Sequence, residues 1–275
     1  MQIEGVLLDI DGTLMTGNDP IPGADTAIRF LQEKNIPYRY ISNGTRKSRK
    51  NVLKKLERIG VKVSVHEIYT PAIAAIQYLT DHSIKACNFL ITTDVMEDFQ
   101  EAGIIHDPKA ATVVVGDAGD EFTYASMNAA FRSLMQGGSL IALEKDRYWK
   151  DVDGLSLSAG PFVTALEYSS GSTPILLGKP SREFFLNAIK DWNIIKKKIL
   201  MIGDDIMTDV RGAQDAGLLG AITFTGKFRS EDIDTCPVNP DFVINSIEIL
   251  PVLLERSENV RNISSEIRVI KRNNI

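Results

Sequence analysis

Two groups of carboxylates carry most of the chemistry this sequence can offer. In the first, Asp9-Ile10-Asp11-Gly12-Thr13-Leu14, two acids alternate at the end of an apolar run over residues 5–10. A turn at Asp11-Gly12 accounts for one of them, but an unpaired acid inside an apolar run is costly. The second group is Gly203-Asp204-Asp205 with Asp209 five residues beyond Asp204, again directly after an apolar run, 199–202. If the two runs are neighbouring strands, Asp9, Asp11, Asp204, Asp205 and Asp209 crowd one crevice. At an effective dielectric of about 20, each like-charge pair 4 Å apart costs ~4 kcal/mol, so a cation must offset the repulsion. Hard oxygen donors with no histidine or thiol beside them select Mg2+ over zinc and leave positions for water or phosphate.

Residues suited to an anion lie between the two acid groups. Ser42-Asn43 ends the run 38–41, and Lys179, in Gly178-Lys179-Pro180-Ser181, follows the run 175–177. Hydroxyl, amide and backbone N–H groups orient phosphate oxygens, while a lysine neutralises charge that shifts during phosphoryl transfer. Taken alone, Lys179 reads as a surface lysine and Ser42-Asn43 as a turn. Set between the two acid groups, they complete a four-part constellation for phosphoryl chemistry.

Such residues converge only if strands deliver them to one edge of a sheet. The runs 5–10, 38–41, 89–91, 112–115, 140–143, 175–177, 199–202 and 221–224 read as strands. Helical spacing marks the segments 24–31, 52–59, 72–79, 124–135, 161–168, 182–192 and 209–216. Strands alternating with helices predict an α/β fold built on parallel sheets.

Composition narrows the functions further. The 275 residues are 44% hydrophobic and 24% charged, the balance of an ordinary globular chain. With 36 acids against 31 bases, the net charge of -5 argues against a surface made to hold nucleic acid. No apolar run approaches the roughly 20 residues of a membrane helix, and Asp9 and Asp11 interrupt any signal-peptide core. Cys87 and Cys236 have neither zinc-ligand nor disulfide spacing, which fits a reducing cytoplasm. From about residue 255 the chain turns polar and reads as a frayed tail.

The four motifs, DIDGTL, Ser42, Lys179 and GDDIMTD, together resemble the haloacid dehalogenase-like superfamily of phosphohydrolases, over nearly all of residues 1–250. Gly17, Ile21-Pro22-Gly23-Ala24 and Gly178-Lys179-Pro180-Ser181 resemble its NagD-type branch, which carries a large α/β cap. The resemblance implies a doubly wound parallel-sheet core from 1–81 and 175–254, an inserted α/β cap over 82–174, and a tail over 255–275. It implies that Asp9 is the nucleophile and Asp11 the acid and base. Mg2+ would be held by Asp9, the backbone carbonyl of Asp11 and Asp204, with Asp205 and Asp209 in support. Ser42, Asn43 and Lys179 would grip the phosphoryl group of a small phosphorylated metabolite, with no nucleic-acid or membrane partner and a homodimer left open. The segments 147–150, 154–155 and 160–168 resemble a narrower phosphatase group, which extends the expected substrates to phosphoramidates and pyrophosphate. A phosphotransferase or phosphomutase, or a catalytically silent phospho-ligand-binding module, is the competing expectation.

Two segments depart from the branch. Ala142-Leu143-Glu144-Lys145-Asp146 replaces a frequent Ala-Thr-Asn-x-Asp pattern, and Arg49, Lys50, Lys54, Lys55 and Arg58 form a basic helix face, expected to be solvated. Asp117 follows Gly116 as Asp204 follows Gly203, but Phe122 stands where the later acid belongs, so it reads as a turn residue. The sequons at Asn43 and Asn262 have no secretory signal to serve them, and His66, His82 and His106 share no ligand spacing. Tyr148 and Trp149 read as cap core or as a cover over the substrate.

Overall fold

The strand Gly5–Asp9 is buried at all five positions, as an apolar run in the middle of a parallel sheet must be. Its neighbours are Ile199–Gly203 on one side, in the register Gly5↔Ile199 to Leu8↔Ile202, and Tyr38–Ile41 on the other. The computed structural model describes residues 2–151, 153–229, 231, 236–256 and 267–269. They divide into two compact units.

The first unit takes in Met1–Ser42, Leu53–Tyr69 and Phe185–Ile275. Its seven-stranded sheet runs Ile267–Val269, Phe242–Ile244, Leu219–Thr223, Ile199–Gly203, Gly5–Asp9, Tyr38–Ile41, Ile68–Tyr69. All pairings are parallel except that of Ile267–Val269 with Phe242–Ile244. The strand order reverses at Gly5–Asp9, and the crevice beyond the carboxyl ends at such a switch point is where open α/β sheets bind ligands. The helix Ala24–Glu33 buries Ala24, Ala27, Ile28 and Leu31, a stripe at helical spacing.

The second unit takes in Asn43–Val52 and Thr70–Phe184. Its five-stranded sheet is wholly parallel, in the order Ile175–Leu176, Ser139–Ala142, Thr112–Val115, Ala86–Leu90, Ile105–His106, and Tyr148–Lys150 pairs antiparallel with Leu155–Leu157 apart from it. Leu90, Val113, Val115 and Leu140 pack there with Ala130 and Leu134 of the helix Tyr124–Met135 and with Val163 and Leu166 of Ala159–Ser170.

These units enclose more in the second body than the expected 82–174 insertion. The strand Ile175–Leu176, expected in the core, pairs with Ser139–Ala142. The segment Asn43–Val52 is held to the helix Thr93–Glu101 by that helix's acids. Asp94 accepts from Ser48 N at 3.1 Å and Asn51 Nδ2 at 2.8 Å, while Asp98 accepts from Arg49 N at 2.9 Å. Of the tail expected from 255, residues 257–266 and 270–275 lie outside the described residues. Ile267–Val269 instead adds the antiparallel edge strand. The sequon at Asn262 also lies outside the described residues. No helix among the described residues is long and apolar enough to cross a membrane.

Glu144 is 2% exposed in the second unit. It accepts hydrogen bonds from Ser158 Oγ at 2.6 Å, from Ala159 N at 2.7 Å and from Asp146 N. Burial pushes its carboxyl from 4.5 up to about 7 against those three donors. Between these values the folded chain keeps a proton that the unfolded chain has lost, so this group's contribution is complete below pH 4.5 and disappears as pH rises through about 7. The size of the effect is on the order of 3 kcal/mol. Thermal melts of the unaltered protein and of Glu144→Gln should therefore diverge with pH, the unaltered protein gaining relative to the variant from pH ~8 to ~5. Parallel pH profiles would refute it.

Candidate active site

Asp9 is the last residue of Gly5–Asp9, and Asp204 directly follows Ile199–Gly203. Because these strands are paired in parallel, both acids emerge at the same end of the sheet. Asp209 joins them from the π-helical turn Ile206–Arg211. One carboxylate oxygen from each of the three lies within 4.8 Å of the others, and the residues are 5%, 4% and 1% exposed. Three buried carboxylates at this separation repel strongly. No histidine or thiol stands in the group, so its donors suit a hard cation.

Backbone amides set the orientation of these acids. Lys227 N donates to Asp204 Oδ2 at 2.7 Å, and Phe228 N donates to the Asp204 carbonyl at 3.1 Å. Asp209 Oδ2 accepts from Asp205 N at 3.0 Å. Asp205 lies outside the cluster: its Oδ1 caps the turn by accepting from Met207 N and Thr208 N, each at 3.0 Å. Asp209, expected only as support, is therefore part of the acid cluster, while Asp205 shapes the turn that carries it.

Asp11 points elsewhere. Its side chain is 65% exposed and its Oδ1 lies 2.5 Å from Lys55 Nζ. Lys50, Lys54 and Arg58 are exposed as the solvated-face reading expects, but the Lys55 side chain is three-quarters buried beside this acid. That pairing corrects the reading at Lys55, and Arg49, half-buried with its backbone N–H on Asp98, departs from it as well. Gly12, next in the chain, has φ +84°, and a Cβ there would lie 2.3 Å from Asp204 Oδ2. Only glycine combines that backbone conformation with so close an approach.

Ser42, 6% exposed, follows Tyr38–Ile41, and its N–H donates to Tyr69 O at 3.3 Å. Asn43 and Lys179 meet within the second unit. Asn43 Oδ1 accepts from Lys179 N at 2.9 Å, and its Nδ2 donates to Lys179 O at 3.3 Å and to Asp146 Oδ2 at 3.1 Å. The carboxamide thus clamps the backbone of Lys179, itself 3% exposed, a use the sequence reading did not assign to it.

Asp117 has a structural role. Asp117 Oδ1 accepts from Gly119 N at 3.0 Å, as a turn residue does, and its Oδ2 lies 3.6 Å from Arg46 Nη1. The Arg46 guanidinium also sits 5.3 Å over the Trp149 ring, while Tyr148 is exposed. Lys55, Lys227 and Asp146 were absent from the sequence reading of the site. For Lys55 the only signal was its place in a basic helix; for Lys227, its position shortly after a strand.

Comparison with known proteins gives these features a context. A haloacid dehalogenase-like hydrolase profile matches residues 6–105, and a second profile of that class matches 176–250. Haloacid dehalogenase-like hydrolase domain-containing protein 2 of Rattus norvegicus is 38% identical over 239 residues, covering 86% of this chain and 90% of the relative. Phospholysine phosphohistidine inorganic pyrophosphate phosphatase of Homo sapiens is 37% identical over 263 residues, covering 93% and 96%. Among solved structures, a p-nitrophenyl phosphatase from Archaeoglobus fulgidus matches with a TM-score of 0.87 at 25% identity, covering 92% of this chain and all of that one. NagD from E. coli K-12 shares the fold with a TM-score of 0.82 at 24% identity, covering 90% and 98%.

Proposed function

The chain belongs to the haloacid dehalogenase-like hydrolases, in their NagD-type branch, and from that premise we propose that it is a Mg2+-dependent phosphatase working through an aspartyl-phosphate. The observation that carries this reading is the buried group Asp9, Asp204 and Asp209 at the carboxyl ends of adjacent parallel strands, with Asp11 two residues beyond Asp9.

Asp9 attacks the phosphorus, and the bond to the leaving group breaks as Asp11 gives that group a proton. Water then attacks the phosphorus of the aspartyl-phosphate, Asp11 takes the proton, and Asp9 is released with inorganic phosphate. One carboxyl serves both half-reactions because each returns it to the state the other needs. Asp9, Asp204 and the backbone carbonyl of Asp11 would hold Mg2+, with Asp209 adjoining. The bound ion would offset the charge of carboxylates and phosphate together. Asp205 supports this arrangement by capping the turn that presents Asp209. Ser42 contributes its hydroxyl to the phosphoryl oxygens. Lys179 enters this reading through the order of motifs along the chain, with Asn43 fixing its backbone.

The substrates proposed are small phosphorylated metabolites. The human relative's name adds phospholysine, phosphohistidine and pyrophosphate to the candidates. A direct test is hydrolysis of p-nitrophenyl phosphate in Mg2+, after chelation, and after Mg2+ is restored. Activity should vanish and return. Turnover indifferent to chelation would contradict the metal requirement. No turnover, with metal-sensitive binding of a phosphorylated ligand, would replace the enzyme with a binding module.

A further inference from the structure

The segment that follows the strand Leu219–Thr223 touches both acid-bearing loops. Thr225 Oγ1 donates to the carbonyl of Gly12 at 2.6 Å. Two residues on, Lys227 N donates to Asp204 Oδ2 at 2.7 Å. Between them, a Cβ on Gly226 would stand 2.0 Å from that same Asp204 oxygen. No residue of 225–227 belongs to the four motifs, yet the tripeptide holds the two loops that carry Asp11 and Asp204.

The direction of the hydrogen bonds follows from counting protons. A hydroxyl has one proton to donate and lone pairs to accept. Thr225 gives its proton to Gly12 O, so in the 2.9 Å contact between Thr225 Oγ1 and Thr223 Oγ1 the donor is Thr223, whose hydroxyl has the Asn245 carbonyl at 3.5 Å as its longer alternative acceptor. Thr223 is fully buried within its strand. A rigid strand therefore reaches the Asp11-Gly12 loop through two hydroxyls in series, each polarising the next. At the other side of the same residue, Gly12 N donates to Met15 O at 2.7 Å. Both polar groups of the Gly12 backbone are thus tied, on a residue whose lack of a side chain leaves its dihedral angles otherwise free.

We propose that Thr225 is a positioning residue for the reaction, its hydroxyl fixing the Gly12 carbonyl and so the backbone from which Asp11, paired with Lys55 in this structure, turns to reach the leaving group. This rests on the reading of Asp11 as the acid. A group that must place a proton on the departing oxygen works only within hydrogen-bond reach of it. The need for that proton depends on the leaving group: p-nitrophenolate departs readily without one, whereas an alkoxide does not.

The test compares kcat/KM for p-nitrophenyl phosphate and for glycerol phosphate in Thr225→Val, Thr225→Ser and Asp11→Asn. Because kcat/KM covers the steps up to departure of the leaving group, hydrolysis of the aspartyl-phosphate does not enter it. The ratio of the two values on one sample is also independent of how much of that sample is folded, so a variant that folds poorly still reports. Thr225→Val should lose about 10- to 100-fold on glycerol phosphate, part of the 10²–10⁴ that acid catalysis supplies, and less than about threefold on p-nitrophenyl phosphate. Thr225→Ser should restore the unaltered ratio, and Asp11→Asn should shift it in the same direction as Val and further. An unchanged ratio in Thr225→Val, with the shift present in Asp11→Asn, overturns the role of Thr225 alone. No shift in Asp11→Asn overturns the acid role and this proposal with it. An unaltered protein that hydrolyses neither substrate overturns the phosphatase reading itself.

Discussion

Asp9→Asn should lower kcat for p-nitrophenyl phosphate by at least about 10⁴-fold, the scale on which loss of a covalent nucleophile is felt. The substitution conserves volume and leaves an oxygen at the end of the strand, so the fold should survive. A second signature accompanies the loss and separates it from general damage. Asp9 is 5% exposed and shares its surroundings with Asp204 and Asp209. Removing one of three close negative charges should raise the stability of the metal-free protein, by on the order of 1–3 kcal/mol. A variant that is inactive and melts at a higher temperature in chelator is difficult to explain except by relief of repulsion at a functional site. An inactive variant with a lower melting temperature would point to a structural role for Asp9 instead.

The next largest effect is expected at Asp204. Asp204→Asn keeps an oxygen able to accept from Lys227 N but withdraws a full negative charge from the cluster. Affinity for Mg2+ should fall by about 100-fold or more, and activity at a fixed low Mg2+ concentration should fall with it. A ligand that binds only the folded chain stabilises it by about 2.7 kcal/mol at one hundred times its dissociation constant. Mg2+ should therefore raise the melting temperature of the unaltered protein and leave that of Asp204→Asn nearly unchanged at the same concentration. Equal shifts in both proteins would remove Asp204 from the metal site.

Much of this site was legible in the sequence because its acids follow short apolar runs. An acid at the end of a buried strand has a fixed position and direction, so Asp9 and Asp204 could be placed together once their strands were taken as neighbours. The pairing of Gly5–Asp9 with Ile199–Gly203 supplies that neighbour relation. The strand Tyr38–Ile41, the strand Thr112–Val115 and the helix Tyr124–Met135 fall where apolar spacing predicted them. What escaped depends on contacts between residues remote in sequence. Asp205 and Asp209 look equivalent along the chain, and only the π-helical turn turns one into the cluster and uses the other as a cap. The pairing of Lys55 with Asp11 spans 44 residues, and nothing in a basic helix face distinguishes the lysine that finds a partner from those that stay in water. Asn43 is similar: its amide could serve a phosphate or a backbone, and its clamp on Lys179 lies 136 positions away. Short strands such as Ile68–Tyr69 and Ile105–His106 were missed because two residues carry no periodicity.

If Asp9 is the nucleophile, it becomes phosphorylated during turnover, and that state can be trapped. Asp11→Asn should be mixed with p-nitrophenyl phosphate and Mg2+, quenched in acid, digested, and its peptides examined by mass spectrometry. With a good leaving group the first half-reaction proceeds, while loss of the base slows attack by water, so the intermediate should accumulate. A phosphoryl group should appear on Asp9 and be absent when Asp9→Asn is combined with Asp11→Asn. Release of p-nitrophenol with Asp9 unmodified, or with the phosphoryl group on another residue, would contradict that role of Asp9.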